Sequence, residues 1–450
     1  MTNTSFEAAS ADLAKLAEAD VPAKEVERLS GRIGLERCAE RDEAVAAYGA
    51  LPLARRKEAS AGVTAPEVAV VSTDGGRIQI LDRRATAAAR RAAAVAAGTD
   101  APASAGNPAD AGLPATPAPT QRPPAGAAAP PVAVVAGTDA PASAGNPARG
   151  GRHWREDKVG LLMAMTSKVS AADPCPDIPD SFLDPTRMGK LARQLRKGVP
   201  LTEEPAADGD DPEADREAVH GGAAVWEPPE VAHKRLVASR QDWDAFGPMV
   251  AAAAWAMGLY GATRRAFLGD GAENNWTLWR NHFGSFVAVL DFIHALSYVY
   301  AAAHAGRGRS EGWCCYARWI RWVWGGQVAE VLRELEARQK ELGGPAEQDK
   351  ETSAPAVVDK ALTYLRNNAG RMKYDEYRRQ GLPITSSYVE SAVKQFNQRV
   401  KGTEKFWSED GGEAVLQLRA DYLSDGQPLE AFWQRRQEAA TGQRSYRRVG

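Results

Sequence analysis

The chain has 450 residues, of which 44% are hydrophobic and 25% are charged, as in an ordinary soluble protein of two or three domains. Its 56 Lys and Arg nearly balance 58 Asp and Glu, which excludes an overall basic coat for nucleic acid but not a local basic surface. Four cysteines without CxxC spacing argue against a zinc ribbon and a disulfide scaffold. Without a membrane-length apolar run or a signal-peptide pattern, we expect a reduced, cytoplasmic protein with no membrane partner.

The first 60 residues are predicted to form a helical N-terminal region. Leu13, Leu16 and Ala17 recur at helical spacing, and Pro22 is suited to open a second short helix. Residues 21–41 are also compatible with a helix-turn-helix that would read terminal DNA repeats, although no clear turn signature is present. DNA binding by this region is therefore an open alternative.

Strands are predicted next, on both sides of a low-complexity segment. Glu67–Leu81 has the pattern of two β-branched strands around a Gly-rich turn, and Lys158–Lys168 that of a third strand. Between them, 40 of the 60 residues in 91–150 are Ala, Pro or Gly, none is aromatic, and a dodecapeptide at 98–109 is repeated at 137–148. Such a segment lacks the apolar surface for a packed core, so we predict a disordered insertion.

The rest of the chain mixes short strands with helices. Arg264–Leu268 and Val287–Leu290 are predicted strands, and helix is predicted over Trp313–Gly343 and Ala354–Ala369. Strands followed by mixed elements indicate an α/β layer with a helical insertion. Residues 313–324 interleave Trp with Arg, a mixture that can stack bases but more often packs a helical subdomain, which we favour.

Three acidic residues are candidates for chemistry because of where they lie. Asp74 and Asp270 follow predicted strands, and Glu390 lies near the start of a late helix. Carboxylates at strand ends converge in α/β sheets, and oxygen ligands suit Mg²⁺ or Mn²⁺. Two such ions about 3.5–4 Å apart can clamp a phosphodiester during its displacement. The alternatives are a hairpin turn at Asp74-Gly75 and a capping box from Ser387 to Glu390.

The late helix adds positive charge to one side of Glu390. Glu390, Lys394 and Lys401 fall on one flank of an amphipathic helix, beside an apolar stripe. That pattern suits a metal ligand beside a phosphate track, whereas a solvated charged face is the alternative. With Arg399, the two lysines are our candidates for contacts to DNA.

An ordered set of segments resembles bacterial insertion-sequence transposases of the ISKra type. The segments are DGGR at 74–77, HWREDKVG at 153–160, LGDGAENNW at 268–276, LDFIHA at 290–295, the long run at 371–402 that contains SSYVESAVKQF, and FWSEDGGEAVLQLRA at 406–420. The resemblance implies an RNase H-like mixed sheet with flanking helices and a DDE triad of Asp74, Asp270 and Glu390 that binds two Mg²⁺ or Mn²⁺ ions. Asp291 and His294 match an Asp-x-x-His signature, and they either order the site from behind its metal ligands or are hydrogen-bonded core residues.

The implied activity is metal-dependent strand cleavage and strand transfer of an insertion sequence, by a homo-oligomer on terminal inverted repeats and target DNA. The implied domains are a helical region at 1–60, a catalytic core at 61–90, 151–300 and 371–435, the insertions at 91–150 and 301–370, and a basic tail at 436–450. The family usually has Gly-Ser-Gly where Thr385, Ser386 and Ser387 stand here. An inactive DNA-binding descendant and an RNase H-like nuclease or resolvase are the alternative functions.

Overall fold

The computed structural model describes residues 5–81, 152–195, 227–401 and 405–439. The predicted insertion at 91–150 and the tail beyond residue 439 lie outside these ranges, so the prediction of a disordered insertion stays untested. Two compact units are distinguished, one of Met1–Gln79 with Arg155–Gly450 and one of Ile80–Trp154. All residues of the candidate site belong to the first unit.

The described strands form one five-stranded mixed sheet in the order β3-β2-β1-β4-β5. Strand β1 is parallel to β4, with Val68 opposite Arg264 and Ser72 opposite Leu268, and β4 is parallel to β5. Strand β2 is antiparallel to β3. The strands are β1 (Val68–Leu81), β2 (Arg152–Thr166), β3 (Glu230–Ser239), β4 (Arg264–Gly269) and β5 (Val287–Leu290). The prediction of an α/β fold with a sheet is confirmed at this level.

Helices account for most of the remaining described residues. The N-terminal ones are α1 (Phe6–Ala17), α2 (Ala23–Ala50) and α3 (Leu53–Arg56). Around the sheet lie α4 (Pro185–Leu195), α5 (Trp243–Ala256), α6 (Glu273–His282) and α7 (Phe292–His304). The later ones are α8 (Arg309–Trp324), α9 (Val328–Leu342), α10 (Ala354–Asn368), α11 (Tyr374–Arg379), α12 (Ser387–Val400), α13 (Glu409–Leu423) and α14 (Pro428–Ala439). No helix in the described ranges is both long and apolar enough to span a membrane.

The Gly-rich segment predicted as a turn is part of one continuous strand. Strand β1 runs from Val68 to Leu81 through Asp74, Gly75 and Gly76, so the two-strand prediction is wrong. A Cβ atom on Gly76 would lie only 2.7 Å from Oδ2 of Asp157 on the neighbouring strand. Glycine is therefore needed here for close packing inside the strand rather than for a turn.

The helix-turn-helix considered as an alternative for residues 21–41 is not formed. Helix α2 runs without interruption from Ala23 to Ala50 and packs along α13. A Cβ atom on Gly34 would lie 2.6 Å from Ala414, and Arg37 forms a buried ion pair with Asp421 at 2.9 Å. Helix α2 therefore packs on α13, and its buried Arg37 pairs within the protein rather than with DNA.

The Trp-rich segment packs the helical insertion, as we expected. Trp319 and Trp324 on α8 are no more than 1% exposed. Their indole N–H groups donate to Glu334 on α9 at 2.6 Å and to the carbonyl of Cys175 at 2.8 Å. Buried indoles whose N–H groups have partners stabilise the packing of α8. The segment is therefore part of a core and does not present these two rings to a ligand.

Candidate functional site

Three parallel strands bring acidic residues to the same edge of the sheet. Pairing of β1 with β4 ends at Ser72 and Leu268, two residues before Asp74. Asp270 follows β4 directly, and Asp291 follows β5 directly. Because parallel strands have their carboxyl ends on one side, these three residues lie at the edge where α/β folds place ligands, and the charges of Asp270 and Asp291 both act on Asp74. Asp74 lies inside β1 rather than at its end, which corrects the prediction, but it lies beyond the part of β1 that β4 covers.

Helix α12 supplies the fourth acidic residue through a contact with Asp291. The backbone N–H of Ser386, which precedes the helix, donates to Oδ1 of Asp291 at 2.7 Å. The hydroxyl of Ser386 donates to Oε1 of Glu390 at 3.1 Å. Ser386 thereby holds the start of α12 at the end of β5 and fixes the carboxylate of Glu390 toward the same crevice.

Asp291 is a positioning residue for His294. Its carboxylate is fully buried, and Asp291 is the N-cap residue of α7. Its Oδ2 accepts the backbone N–H of His294 at 2.9 Å and lies 2.7 Å from Nδ1 of the same residue. The possible ligand atoms of Asp291, His294 and Glu390 all lie within 4.8 Å of one another. Since both oxygens of Asp291 already accept hydrogen bonds, it acts by orienting the imidazole of His294.

Burial and neighbouring negative charges disfavour the ionised form of the carboxylates at this edge. Burial and the negative charges of Asp270 and Asp291 raise the pKa of Asp74 to about 6, although the N–H of Gly75 opposes the shift. Burial and the charges of Asp291 and Asp74 raise the pKa of Glu390 to about 7. Both shifts disfavour the ionised form, which is what neighbouring carboxylates without a cation undergo.

His294 responds in the opposite direction. Burial alone would lower its pKa, but the hydrogen bond to Asp291 and the charges of Asp291, Asp270 and Glu390 outweigh it and raise the pKa of His294 to about 9. The imidazole is therefore positively charged at neutral pH in the described structure. Its charge and the four carboxylates influence one another, so the five groups form one electrostatic cluster, which we call the acidic cluster: Asp74, Asp270, Asp291, His294 and Glu390.

Asp270 is held by neighbours that the sequence did not single out. Its Oδ1 accepts hydrogen bonds from the N–H of Ala272 at 2.9 Å and from Nδ2 of Asn275 at 2.8 Å. Asn275 is buried and in turn accepts the hydroxyl of Thr73 at 2.6 Å, which connects Asp270 to the residue before Asp74. The hydroxyl of Tyr364 on α10 donates to the carbonyl of Asp270 at 2.6 Å. The helical insertion thus contacts the acidic cluster directly.

The structure does not form the capping box considered for Glu390. Helix α12 begins at Ser387, and Ser386 is its N-cap, without a side-chain hydrogen bond to the helix backbone. The Ser386 hydroxyl is directed to the carboxylate of Glu390 instead. Glu390 therefore faces the acidic cluster rather than stabilising its own helix terminus.

Thr385 and Ser387, which stand where the resembled transposases usually have glycine, leave the backbone unstrained. Among the described non-glycine residues, positive φ angles occur only at Glu18 and Gln427, so neither Thr385 nor Ser387 adopts a conformation that requires glycine. Ser386 keeps both its hydrogen bonds with these neighbours in place. The departure from Gly-Ser-Gly therefore gives no structural reason for a decayed site.

The three residues predicted to bind DNA have different surroundings. Lys394 is exposed on α12. Arg399 is only 5% exposed, with its guanidinium 4.6 Å from the ring of Phe6 and 5.3 Å from that of Trp407, so its assignment to a DNA-binding surface is corrected. Arg399 was misjudged because a basic side chain on a helix can pack between aromatic rings. Burial raises the pKa of Asp157 to about 6, and the charge of Lys401 opposes this rise.

The acidic cluster has more negative than positive groups, which favours the binding of a divalent cation. Asp74, Asp270 and Glu390 are partly exposed. The charge of Asp270 contributes to the raised pKa of Asp74, the charge of Asp74 contributes to that of Glu390, and the charges of Asp270 and Glu390 contribute to that of His294. Oxygen donors of this kind match Mg²⁺ and Mn²⁺, and a bound dication would remove their mutual repulsion. The residues present therefore fit the metal that the sequence resemblance implies.

No family model, no curated protein and no solved structure matches the chain. Its function is accordingly inferred from the acidic cluster and the elements that hold it.

Proposed function

We propose that the protein is a DNA transposase that cleaves and joins the strands of an insertion sequence with two divalent metal ions. The observation that carries the proposal is the meeting of Asp74, Asp270 and Glu390, which lie 196 and 120 residues apart in the chain, in one electrostatic cluster. These are the three positions that the resemblance to ISKra-type transposases assigns to a DDE triad.

We assign the sheet to the RNase H-like class. Support comes from its mixed strand directions, from the flanking helices and from the helical region α8–α10, which precedes the helix with the last acidic residue. The acidic residues come from β1, from the end of β4 and from α12, as the resemblance implies.

Within this proposal, Asp74, Asp270 and Glu390 would hold the metal ions. Bound Mg²⁺ or Mn²⁺ would supply charge stabilisation for a phosphodiester displacement and a nucleophile at neutral pH. Asn275 and Tyr364 keep Asp270 in place, and Ser386 keeps Glu390 in place. Asp291 orients the ring of His294, whose Nδ1–H donates to Oδ2 of Asp291.

Positive charge beside the cluster would hold the DNA backbone. Lys394 is exposed on α12, one helical turn after Glu390, where an ammonium group can contact a phosphate. Arg399 has no such role because it lies between Phe6 and Trp407. The near-neutral net charge of −2 makes such local contacts more important for affinity.

The proposal is tested by strand cleavage of labelled duplexes that carry the ends of the element. We expect the purified full-length protein to nick or join these duplexes with Mg²⁺ or Mn²⁺ and not with EDTA. Asp74→Asn, Asp270→Asn and Glu390→Gln should each abolish cleavage, whereas Asp12→Asn, at an exposed site on α1, should not. Metal-independent binding without cleavage would contradict the proposal, and equal cleavage of unrelated DNA would favour a nuclease.

A further inference from the structure

Asp157 on β2 is a buried carboxylate whose two oxygens have no hydrogen-bond partner among the other described residues. It is 0% exposed, and neither Oδ1 nor Oδ2 has a hydrogen-bond partner in another described residue, although the backbone N–H of Asp157 itself lies close enough to act on the carboxylate. Burying a carboxylate without a partner is costly, and most buried polar atoms in native proteins are paired. The position of Asp157 therefore calls for a binding partner that completes it.

The carboxylate of Asp157 lies on the face of the sheet that carries Asp74. A Cβ atom on Gly76 would be 2.7 Å from Oδ2 and 2.9 Å from Oδ1 of Asp157, so the carboxylate occupies the space that a side chain at 76 would take. Residues two apart on a strand point to the same face, which places Asp74 beside this space. The Cα atoms of diagonal neighbours on paired strands are separated by roughly 7–8 Å. Two carboxylate side chains that extend from such neighbours can share one ion or one ion-bound water.

The charges around Asp157 come from the acidic cluster and from the end of α12. The negative charge of Asp74 and the positive charges of Lys401 and Lys158 all act on it. Lys158, its neighbour along β2, forms an ion pair with Glu156 at 3.2 Å. Asp157 lies on β2, which flanks β1 on the side opposite to the strand that precedes Asp270.

We propose that Asp157 is an additional acidic ligand of the metal centre, which binds the ion on the Asp74 side directly or through a bound water. The inference rests on the proposed metal site and adds a donor that the resemblance does not assign. Gly76 has a matching role, because only glycine leaves room for the carboxylate. The other interpretation is that Asp157 does no more than balance the charge of Lys401.

Titration of the full-length protein with Mn²⁺, followed by electron paramagnetic resonance, separates these interpretations. Asp157→Asn keeps the shape of the side chain and removes its charge, and we expect it to weaken Mn²⁺ affinity by about tenfold or more. Glu156→Gln, one residue earlier on β2, is the matched control and should bind Mn²⁺ as the unmutated protein does. Mn²⁺ affinity unchanged by Asp157→Asn would overturn the proposal.

A second variant guards against an effect of misfolding. Gly76→Ala should displace the carboxylate of Asp157 and also weaken Mn²⁺ binding. The melting temperature of Asp157→Asn in EDTA should equal or exceed that of the unmutated protein, because an unpaired buried charge is gone. A folded Gly76→Ala protein with unchanged Mn²⁺ affinity would also contradict the proposal.

Measurements of Mn²⁺ binding and of DNA cleavage test the role of Asp157 and the transposase activity separately. Mn²⁺ binding that depends on Asp157, in a protein that cleaves no DNA, would support the ligand and contradict the transposase. DNA cleavage by the unmutated protein together with unchanged Mn²⁺ affinity of Asp157→Asn would do the reverse. An unmutated protein that binds no Mn²⁺ would overturn the inference about Asp157.

Discussion

Oδ1 of Asp291 accepts the backbone N–H of Ser386 at 2.7 Å, so a fully buried carboxylate at the end of β5 holds the residue that starts the Glu390 helix. The other oxygen of the same carboxylate holds the backbone and the ring of His294. One side chain therefore sets the position of two members of the acidic cluster that belong to different helices.

Replacing Asp291 should consequently disturb both helices at once. In Asp291→Asn, one amide N–H₂ must face either the N–H of Ser386 or the N–H groups of His294, which places donor against donor. Leaving a buried group unpaired costs about 1–3 kcal/mol, and we expect the free energy of unfolding to fall by about this amount. Denaturant unfolding measures this, and the pKa of His294, followed by NMR, should fall from its raised value. Unchanged stability and an unchanged pKa would contradict the positioning role.

The raised pKa values predict how metal-free stability depends on pH. Asp74 and Glu390 titrate in the folded protein at about 6 and about 7, above their ordinary values of 3.8 and 4.5. The folded state then binds more protons than the unfolded state, so these groups lower stability as the pH rises from about 4 to about 7. His294, raised from 6.5 to about 9, acts in the same direction from about 6.5 to about 9.

Melting temperatures in EDTA across this range test the prediction by comparison between variants. The double variant Asp74→Asn, Glu390→Gln should gain stability relative to the unmutated protein as the pH rises from 4 to 7. Saturating Mn²⁺ should stabilise the unmutated protein more at pH 7 than at pH 5, because the cation binds the ionised carboxylates. A stability difference between the variants that does not change with pH would show that the carboxylates do not titrate as stated.

The position of Asp270 could be predicted from the sequence because it follows an apolar strand, whereas Asp74 lies inside β1 rather than at the predicted strand end. Asp270 comes directly after an apolar strand, and Asp74 comes after the β-branched residues that pair with β4. Short-range patterns of this kind are physical properties of the segment itself. The packing of the Trp-rich helix was also expected, because mixtures of Trp and Arg more often pack a helical subdomain than stack bases.

The partners that complete the cluster could not be predicted, because they depend on contacts between distant segments. Asn275 gains its role from Thr73, 202 residues away, and Ser386 from Asp291, 95 residues away. The sequence around Gly76 has the pattern of a turn. The structure shows instead that Asp157 on the neighbouring strand fills the space beside Gly76. The unbroken length of α2 likewise depends on α13, which lies more than 350 residues further along the chain.

Asn275→Ala should weaken the hold on Asp270. The change removes a donor to Asp270 and leaves the hydroxyl of Thr73 without its acceptor. We expect a loss of about 1–3 kcal/mol in the free energy of unfolding, together with weaker Mn²⁺ binding. Denaturant unfolding and Mn²⁺ titration measure the two effects. Asn274→Ala, at the exposed neighbouring position, should change stability by no more than about 0.5 kcal/mol, and equal effects of both variants would contradict the role of Asn275.

Lys394 and Arg399 should give opposite results when each is replaced by Ala. Lys394→Ala should weaken DNA binding and reduce the salt dependence by about one phosphate contact, with stability unchanged, because this lysine is exposed. Arg399→Ala should lower the melting temperature and leave the salt dependence unchanged, because its guanidinium packs between Phe6 and Trp407. DNA affinity at several salt concentrations and thermal unfolding distinguish the two. A shallower salt dependence for Arg399→Ala would contradict its assignment to the core.

Anomalous diffraction from crystals of the full-length protein soaked in Mn²⁺ tests most directly whether Asp74, Asp270 and Glu390 form one metal centre. We predict one or two Mn²⁺ peaks at coordination distances of about 2 Å from oxygens of these three carboxylates, and a separation of about 3.5–4 Å where two ions bind. The same soak of Asp74→Asn should lose the peak that Asp74 binds. Mn²⁺ peaks elsewhere in the protein, with none at the acidic cluster, would contradict the account.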